Sequence, residues 1–90
     1  MSYRIFYSSR AEKYLHRLTS SKLNTILNRI ENVSLNPFKR DNNIKKLSGT
    51  ISSYRLRVGD IRIIYELNIQ TKIMFVVKIA PRGAVYNSLT

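Results

Sequence analysis

Three arginines gather around one short turn. Arg55, Arg57 and Arg62 flank Gly59-Asp60 in the run Tyr54-Arg55-Leu56-Arg57-Val58-Gly59-Asp60-Ile61-Arg62-Ile63-Ile64-Tyr65-Glu66. The run alternates with period two, so Tyr54, Leu56 and Val58 point one way and Arg55 and Arg57 the other. A two-residue turn with glycine first suits a type II′ hairpin. It sets Val58 against Ile61, Arg57 against Arg62, Leu56 against Ile63, Arg55 against Ile64 and Tyr54 against Tyr65. Like charges facing each other across a sheet are unfavourable by up to ~1 kcal/mol. A guanidinium is a planar fork of donors matched to phosphate oxygens. The expectation is therefore an open, strongly positive sheet face that takes phosphate. The plainer alternative is a solvated face that happens to be basic, although such faces usually mix signs. The whole chain leans the same way: 16 Lys+Arg against 5 Asp+Glu give a formal net charge of +11, which calls for a polyanionic partner.

Other chemistries fall to composition. The chain has no cysteine, which removes disulfides, a thiol nucleophile and cysteine-built zinc sites, and one histidine cannot make a His-based metal site. His16 sits between the stripe positions Leu15 and Leu18 and reads as a solvated helix residue. Asp60 serves the turn, Glu66 pairs with a neighbouring cation, and no two carboxylates share an obvious hydrolase site. Gly49, Gly59 and Gly83 are isolated and make no phosphate-cradling loop. Lys39, Arg40, Lys45 and Lys46 read as a wet loop or, beside the arginine face, as an RNA-binding track along phosphates. No cofactor and no metal are implied. The longest apolar run, Ile73 to Val77, is far below the ~18–20 residues that span a bilayer. Met1-Ser2-Tyr3-Arg4 leads into alternation rather than an apolar leader, so a cytoplasmic protein with no membrane partner is expected.

The elements that must position the arginines follow from periodicity. At 90 residues the chain is one domain, 1–90, with one thin core. Tyr3 to Tyr7 is short and rich in β-branched and aromatic residues, hence a strand. Ser9-Arg10-Ala11-Glu12 fits a capping box. Ala11, Tyr14, Leu15 and Leu18 then mark one helix face, and Leu23, Ile26, Leu27, Ile30 and Val33 mark a second, with Thr19-Ser20-Ser21 between them and Asn36-Pro37 as the stop. Two helices so closely linked fold back as an αα-hairpin. Lys39 to Thr50 reads as a surface connection. Beyond the arginine hairpin, Asn68 to Thr71 turns the chain into a last strand, Lys72 to Ala80, whose apolar run predicts a central place covered on both faces. The fold class is α+β, β-α-α-β-β-β: an antiparallel sheet with the N-terminal helical hairpin on one face.

The run 54–66, with Lys46-Leu47-Ser48-Gly49 upstream and Pro81-Arg82-Gly83-Ala84-Val85-Tyr86 near the end, resembles the RelE/ParE superfamily of toxins, on its RelE branch. The resemblance covers the whole chain. It implies the toxin of a bacterial or archaeal toxin–antitoxin system, neutralised by a small antitoxin, and a metal-independent endoribonuclease that enters the ribosomal A site and cuts mRNA there. The RNA's own 2′-OH would attack the adjacent phosphate, leaving a 2′,3′-cyclic phosphate and a free 5′-OH. By position, Arg55, Arg57 and Arg62 match the family's basic residues on these strands, and Arg82 and Tyr86 match the arginine and tyrosine of its final segment. Lysine is common in the family where Arg55 and Arg57 stand, and the Arg82–Tyr86 spacing is tighter than in some relatives. An arginine carries protons poorly, since its pKa exceeds ~12. Tyr86 is then the candidate general base, a platform for a nucleobase, or simply an aromatic that pins the tail to the sheet. Two other functions compete: a ParE-like toxin that inhibits DNA gyrase without cutting RNA, and a basic RNA-binding protein with no chemistry.

Overall fold

Ser8, not Ser9, starts the first helix. Its backbone N–H already donates to the Val76 carbonyl at 2.9 Å and its hydroxyl to the Val77 carbonyl at 2.6 Å, while the same oxygen accepts from the Ala11 N–H at 3.0 Å. One residue thus ends a strand, docks on its neighbour and caps a helix, so the cap moves one place ahead of the capping-box pattern. The computed structural model describes residues 2–82. They form β1 (Arg4–Tyr7), α1 (Ser9–His16), α2 (Ser20–Leu35), β2 (Ile44–Lys46), β3 (Ser53–Val58), β4 (Ile61–Asn68) and β5 (Ile73–Pro81). Thr19 caps α2, its hydroxyl accepting from the Lys22 N–H.

The sheet has five strands in the order β1-β5-β4-β3-β2. Four are joined antiparallel; β1 pairs with β5 in parallel, with Phe6 opposite Phe75. The α+β class and the helical hairpin on one face stand, but the sheet is mixed rather than wholly antiparallel. No tight turn fixes the direction of β1 against β5, because both helices and three strands lie between them. The segment read as a bare surface connection contributes β2, three residues too short for any periodicity to reveal.

The core lies between the helices and the inner face of the sheet. Ala11 and Leu15 of α1 and Ile26, Ile30 and Val33 of α2 pack with Leu56, Ile63, Tyr65, Leu67, Met74, Val76 and Ile79. The helical stripes and the period-two alternation of 54–67 select these positions except Met74, Val76 and Ile79, which lie in the apolar run of β5. On the other face a small second cluster joins Ile64 and Ala80 to Leu47 and Val77. β5 is an interior strand as expected, but it is not covered on both sides: Phe75 remains exposed beside Phe6 on that outer face. Between Ile64 and Tyr65 the β4–β5 register slips, with Tyr65 opposite Val76 and Ile64 opposite Lys78, so Val77 is an extra residue in β5.

Candidate functional site

The hairpin register is the one the sequence dictates. Val58 faces Ile61, Arg57 faces Arg62, Leu56 faces Ile63, Arg55 faces Ile64 and Tyr54 faces Tyr65, around a Gly59 with φ of +60°. That left-handed backbone is the reason glycine opens the turn. Tyr54 and Tyr65 stack on the helix side, rings 5.6 Å apart and 18° from parallel. Burial pushes the Tyr65 phenol up, with the Tyr54 and Asp41 charges adding to it, and among the described residues its hydroxyl has no hydrogen-bond partner.

The facing arginines have different surroundings. Arg57 is exposed, and its Nε and Nη2 both reach Asn43 Oδ1, at 3.3 and 3.1 Å. Its backbone N–H also donates to the Asn43 carbonyl at 2.8 Å. Arg62 is only 6% exposed, and its Nη1 donates to the Gly59 carbonyl at 2.9 Å and the Ile61 carbonyl at 3.1 Å. The expectation of one open face carrying both guanidiniums is corrected here. β4 lies in the middle of the sheet, and Arg62 folds back over its own turn while Arg57 leans outward to the loop before β2. That divergence relieves the like-charge opposition. Arg55 is half-buried opposite Ile64, and its other neighbour in the register is Lys45 of β2.

Arg82 is exposed at the end of β5, and its backbone N–H donates to the Asp60 carbonyl at 2.7 Å. The turn therefore gathers Arg62 and Arg82 by main-chain contacts, with Arg57 across the ladder. Tyr86 lies outside the described residues. The basic loop divides. Exposed Lys45 joins Arg55, whereas Lys46 pairs with Tyr54 on the opposite side, where it lines a recess with Lys39, Arg40 and Phe38. Arg29 of α2 ties this loop down through an ion pair with Asp41, which holds that carboxyl below its usual range with help from the Asn43 N–H.

Two participants escaped the sequence reading. Asn43 holds Arg57, but an asparagine in a loop carries no signal of that. Lys78 stands in the register row Lys45–Arg55–Ile64–Lys78, hidden in the sequence by the apolar run around it. Among the described residues, no group of three or more His, Cys, Asp or Glu could hold a metal ion, and no helix is long and apolar enough to cross a membrane. What the arrangement offers is cationic: a set of guanidiniums fixed by the sheet and its turn, suited to an anion whose charge grows during reaction.

No family profile matches the chain. A protein of Methanocaldococcus jannaschii named toxin RelE1 is 29% identical over 89 residues, covering 98% of this chain and 99% of its own. The archaeal RelE–RelB complex from Pyrococcus horikoshii OT3 contains a chain 31% identical to this one, with a TM-score of 0.79, over 92% of this chain and 98% of that one. The isolated E. coli RelE toxin shares the fold at a TM-score of 0.76 and 22% identity, over 98% of this chain and 95% of its own. Sequence and fold agree along almost the full length: the chain belongs to the RelE family of toxins.

Proposed function

We propose that this chain is the toxin of a toxin–antitoxin pair and an endoribonuclease that cuts mRNA in the ribosomal A site. The observation that supports the reading is that Arg57 and Arg62 face each other beside the β3–β4 turn and Arg82 is tied to that turn by its backbone N–H, with Arg55 two residues along β3. Attack of a 2′-OH on the neighbouring phosphate needs in-line positioning and stabilisation of charge on the phosphoryl oxygens, not a protein nucleophile. Arg57 and Arg82 are exposed and present donors to those oxygens. Arg62 braces the turn that sets their spacing and adds its own charge from beneath. The ribosome supplies the alignment that a small cationic face lacks, and the guanidiniums supply charge that a metal would otherwise bring. Tyr86 is the group we assign to proton removal or to stacking on a base.

The partner is a small antitoxin, as the RelE–RelB complex of the archaeal relative indicates by analogy. A chain at +11 favours an acidic one that orders on binding. The test is translation in a reconstituted system with mapped mRNA ends. Cuts within A-site codons, dependent on ribosomes and persisting under mild chelation, are the expected result. Cutting of naked mRNA would overturn the ribosome requirement, and intact mRNA with cleaved DNA would favour gyrase poisoning.

A further inference from the structure

Register explains why Asn43 stands beside Arg57. In the β2–β3 pairing Ile44 is opposite Leu56 on the helix side, and Lys45 is opposite Arg55 on the outer face. One place ahead of β2, Asn43 therefore falls opposite Arg57 on that outer face, where the Arg57 N–H donates to the Asn43 carbonyl at 2.8 Å. Adjacent strands lie about 4.8 Å apart, so Arg57 has a cross-strand neighbour on each side, Asn43 and Arg62. One repels its guanidinium and the other accepts from it. Nε and Nη2 reach Asn43 Oδ1 at 3.3 and 3.1 Å. The contact uses one edge of the fork and leaves Nη1 and the second Nη2 proton for another acceptor. The loop is itself anchored, since Asp41 Oδ1 accepts from the Asn43 N–H at 2.8 Å and Asp41 Oδ2 pairs with Arg29 of α2. In this chain of contacts the acid is spent on Arg29, and the link that meets Arg57 is a neutral amide.

We infer that Asn43 is a positioning residue for the cleavage proposed above, one that aims the Arg57 guanidinium while leaving its charge intact. The inference rests on that proposed function and deepens it by naming what holds the cation in place. Donors set beforehand stabilise developing phosphoryl charge without reorganising during the reaction. An exposed arginine is not set by itself, because its long side chain samples many rotamers. An amide oxygen on the side away from Arg62 restricts those rotamers, and a carboxylate there would restrict them only by cancelling the charge. The backbone gives no separate reason for asparagine: among the described residues Lys72 is the one non-glycine with a positive φ. The main-chain bonds of Asn43 to Arg57 and Asp41 persist whatever side chain stands at 43, so substitution there isolates the contact with the guanidinium.

The test is a double-mutant cycle on the single-turnover rate of mRNA cleavage by the full-length chain on programmed ribosomes, with a melting curve for each variant. Asn43→Ala should slow cleavage about tenfold, the worth of one hydrogen bond to a charged group. It should cost nothing further in an Arg57→Ala background, because a residue that acts through another then has nothing to aim. Asn43→Asp keeps the acceptor and adds an ion pair, so it should melt at or above wild type and still cut more slowly. A merely structural role would give the same rate loss in both backgrounds and a lower Tm in Asn43→Ala; that pattern overturns the proposal, as does wild-type cleavage by either variant. Hydrogen exchange at Arg57 Nε, read by NMR on the free chain, reports the contact without any cleavage. Exchange should quicken in Asn43→Ala and slow in Asn43→Asp, and no change in either would also overturn the proposal. Uncut mRNA with the wild-type chain would defeat the proposed function, while the exchange rates would still show whether Asn43 holds Arg57.

Discussion

The two strands of the β3–β4 hairpin carry the same side chain at facing positions and treat it differently. β4 is the middle strand of five, and it is buried from Ile61 through Tyr65, Arg62 included. β3 has only the three-residue β2 beyond it, and along β3 Leu56 alone is fully buried. Arg62 therefore spends donors on the carbonyls of its own turn, while Arg57 rests on a side-chain oxygen that leaves its other donors for phosphate. Residue type and register made the two look equivalent. Place in the sheet separates them into a brace and a hand.

Substitutions along the hairpin can break or sharpen this contrast. The largest effect on stability is expected from Arg62→Ala, which removes a buried side chain and leaves the Gly59 and Ile61 carbonyls without their donor. The cost should be about 1–3 kcal/mol, at roughly 4–8 °C of Tm per kcal/mol for a domain of this size. A wild-type melting curve would mean that Arg62 braces nothing. Next comes Gly59→Ala. Nothing stands within 4 Å of an added Cβ, so the cost is the left-handed backbone alone, about 1–2 kcal/mol. Gly59→Asn should recover part of it, because asparagine tolerates that region; equal melting of the two variants would deny that backbone strain is the cause.

The inner side of β4 should respond with the opposite sign. Tyr65 is fully buried and its hydroxyl has no partner among the described residues, so Tyr65→Phe should raise stability, by up to about 1 kcal/mol. A lower Tm would reveal a partner for that oxygen. The smallest effect belongs to the loop beside β3. Asp41 titrates below its unfolded value because of Arg29 and the Asn43 N–H. A depressed carboxyl stabilises the fold above its unfolded pKa, and that contribution disappears as pH falls through its folded pKa. Asp41→Asn should therefore cost less than about 1 kcal/mol near neutrality, and the difference from wild type should vanish in acid. A gap that persists at low pH would assign Asp41 a role other than its charge.

Much of this arrangement is legible in the sequence, and the gaps have identifiable causes. Alternation on either side of Gly59-Asp60 gives the full Arg57–Arg62 register, because period two and a tight turn leave no freedom. The helix stripes give the inner core for the same reason. The parallel pairing of β1 with β5 is invisible because it depends on contacts distant in the chain. β2 is invisible because three residues carry no period. Burial of Arg62 cannot be read locally: it needs the order of all five strands. Lys78 vanishes into an apolar run, and Asn43 lies where no periodicity reveals the arginine it faces.

In the function proposed, exposed guanidiniums at this turn would stabilise the charge that develops in RNA cleavage, and Arg57 tests this most directly. The measurement is the single-turnover rate of mRNA cleavage on programmed ribosomes for wild type and Arg57→Ala, beside a melting curve for each. The account predicts a rate loss on the order of 10²–10³, with stability held within about 0.5 kcal/mol because Arg57 is exposed. Cleavage at the wild-type rate by a folded Arg57→Ala would contradict it.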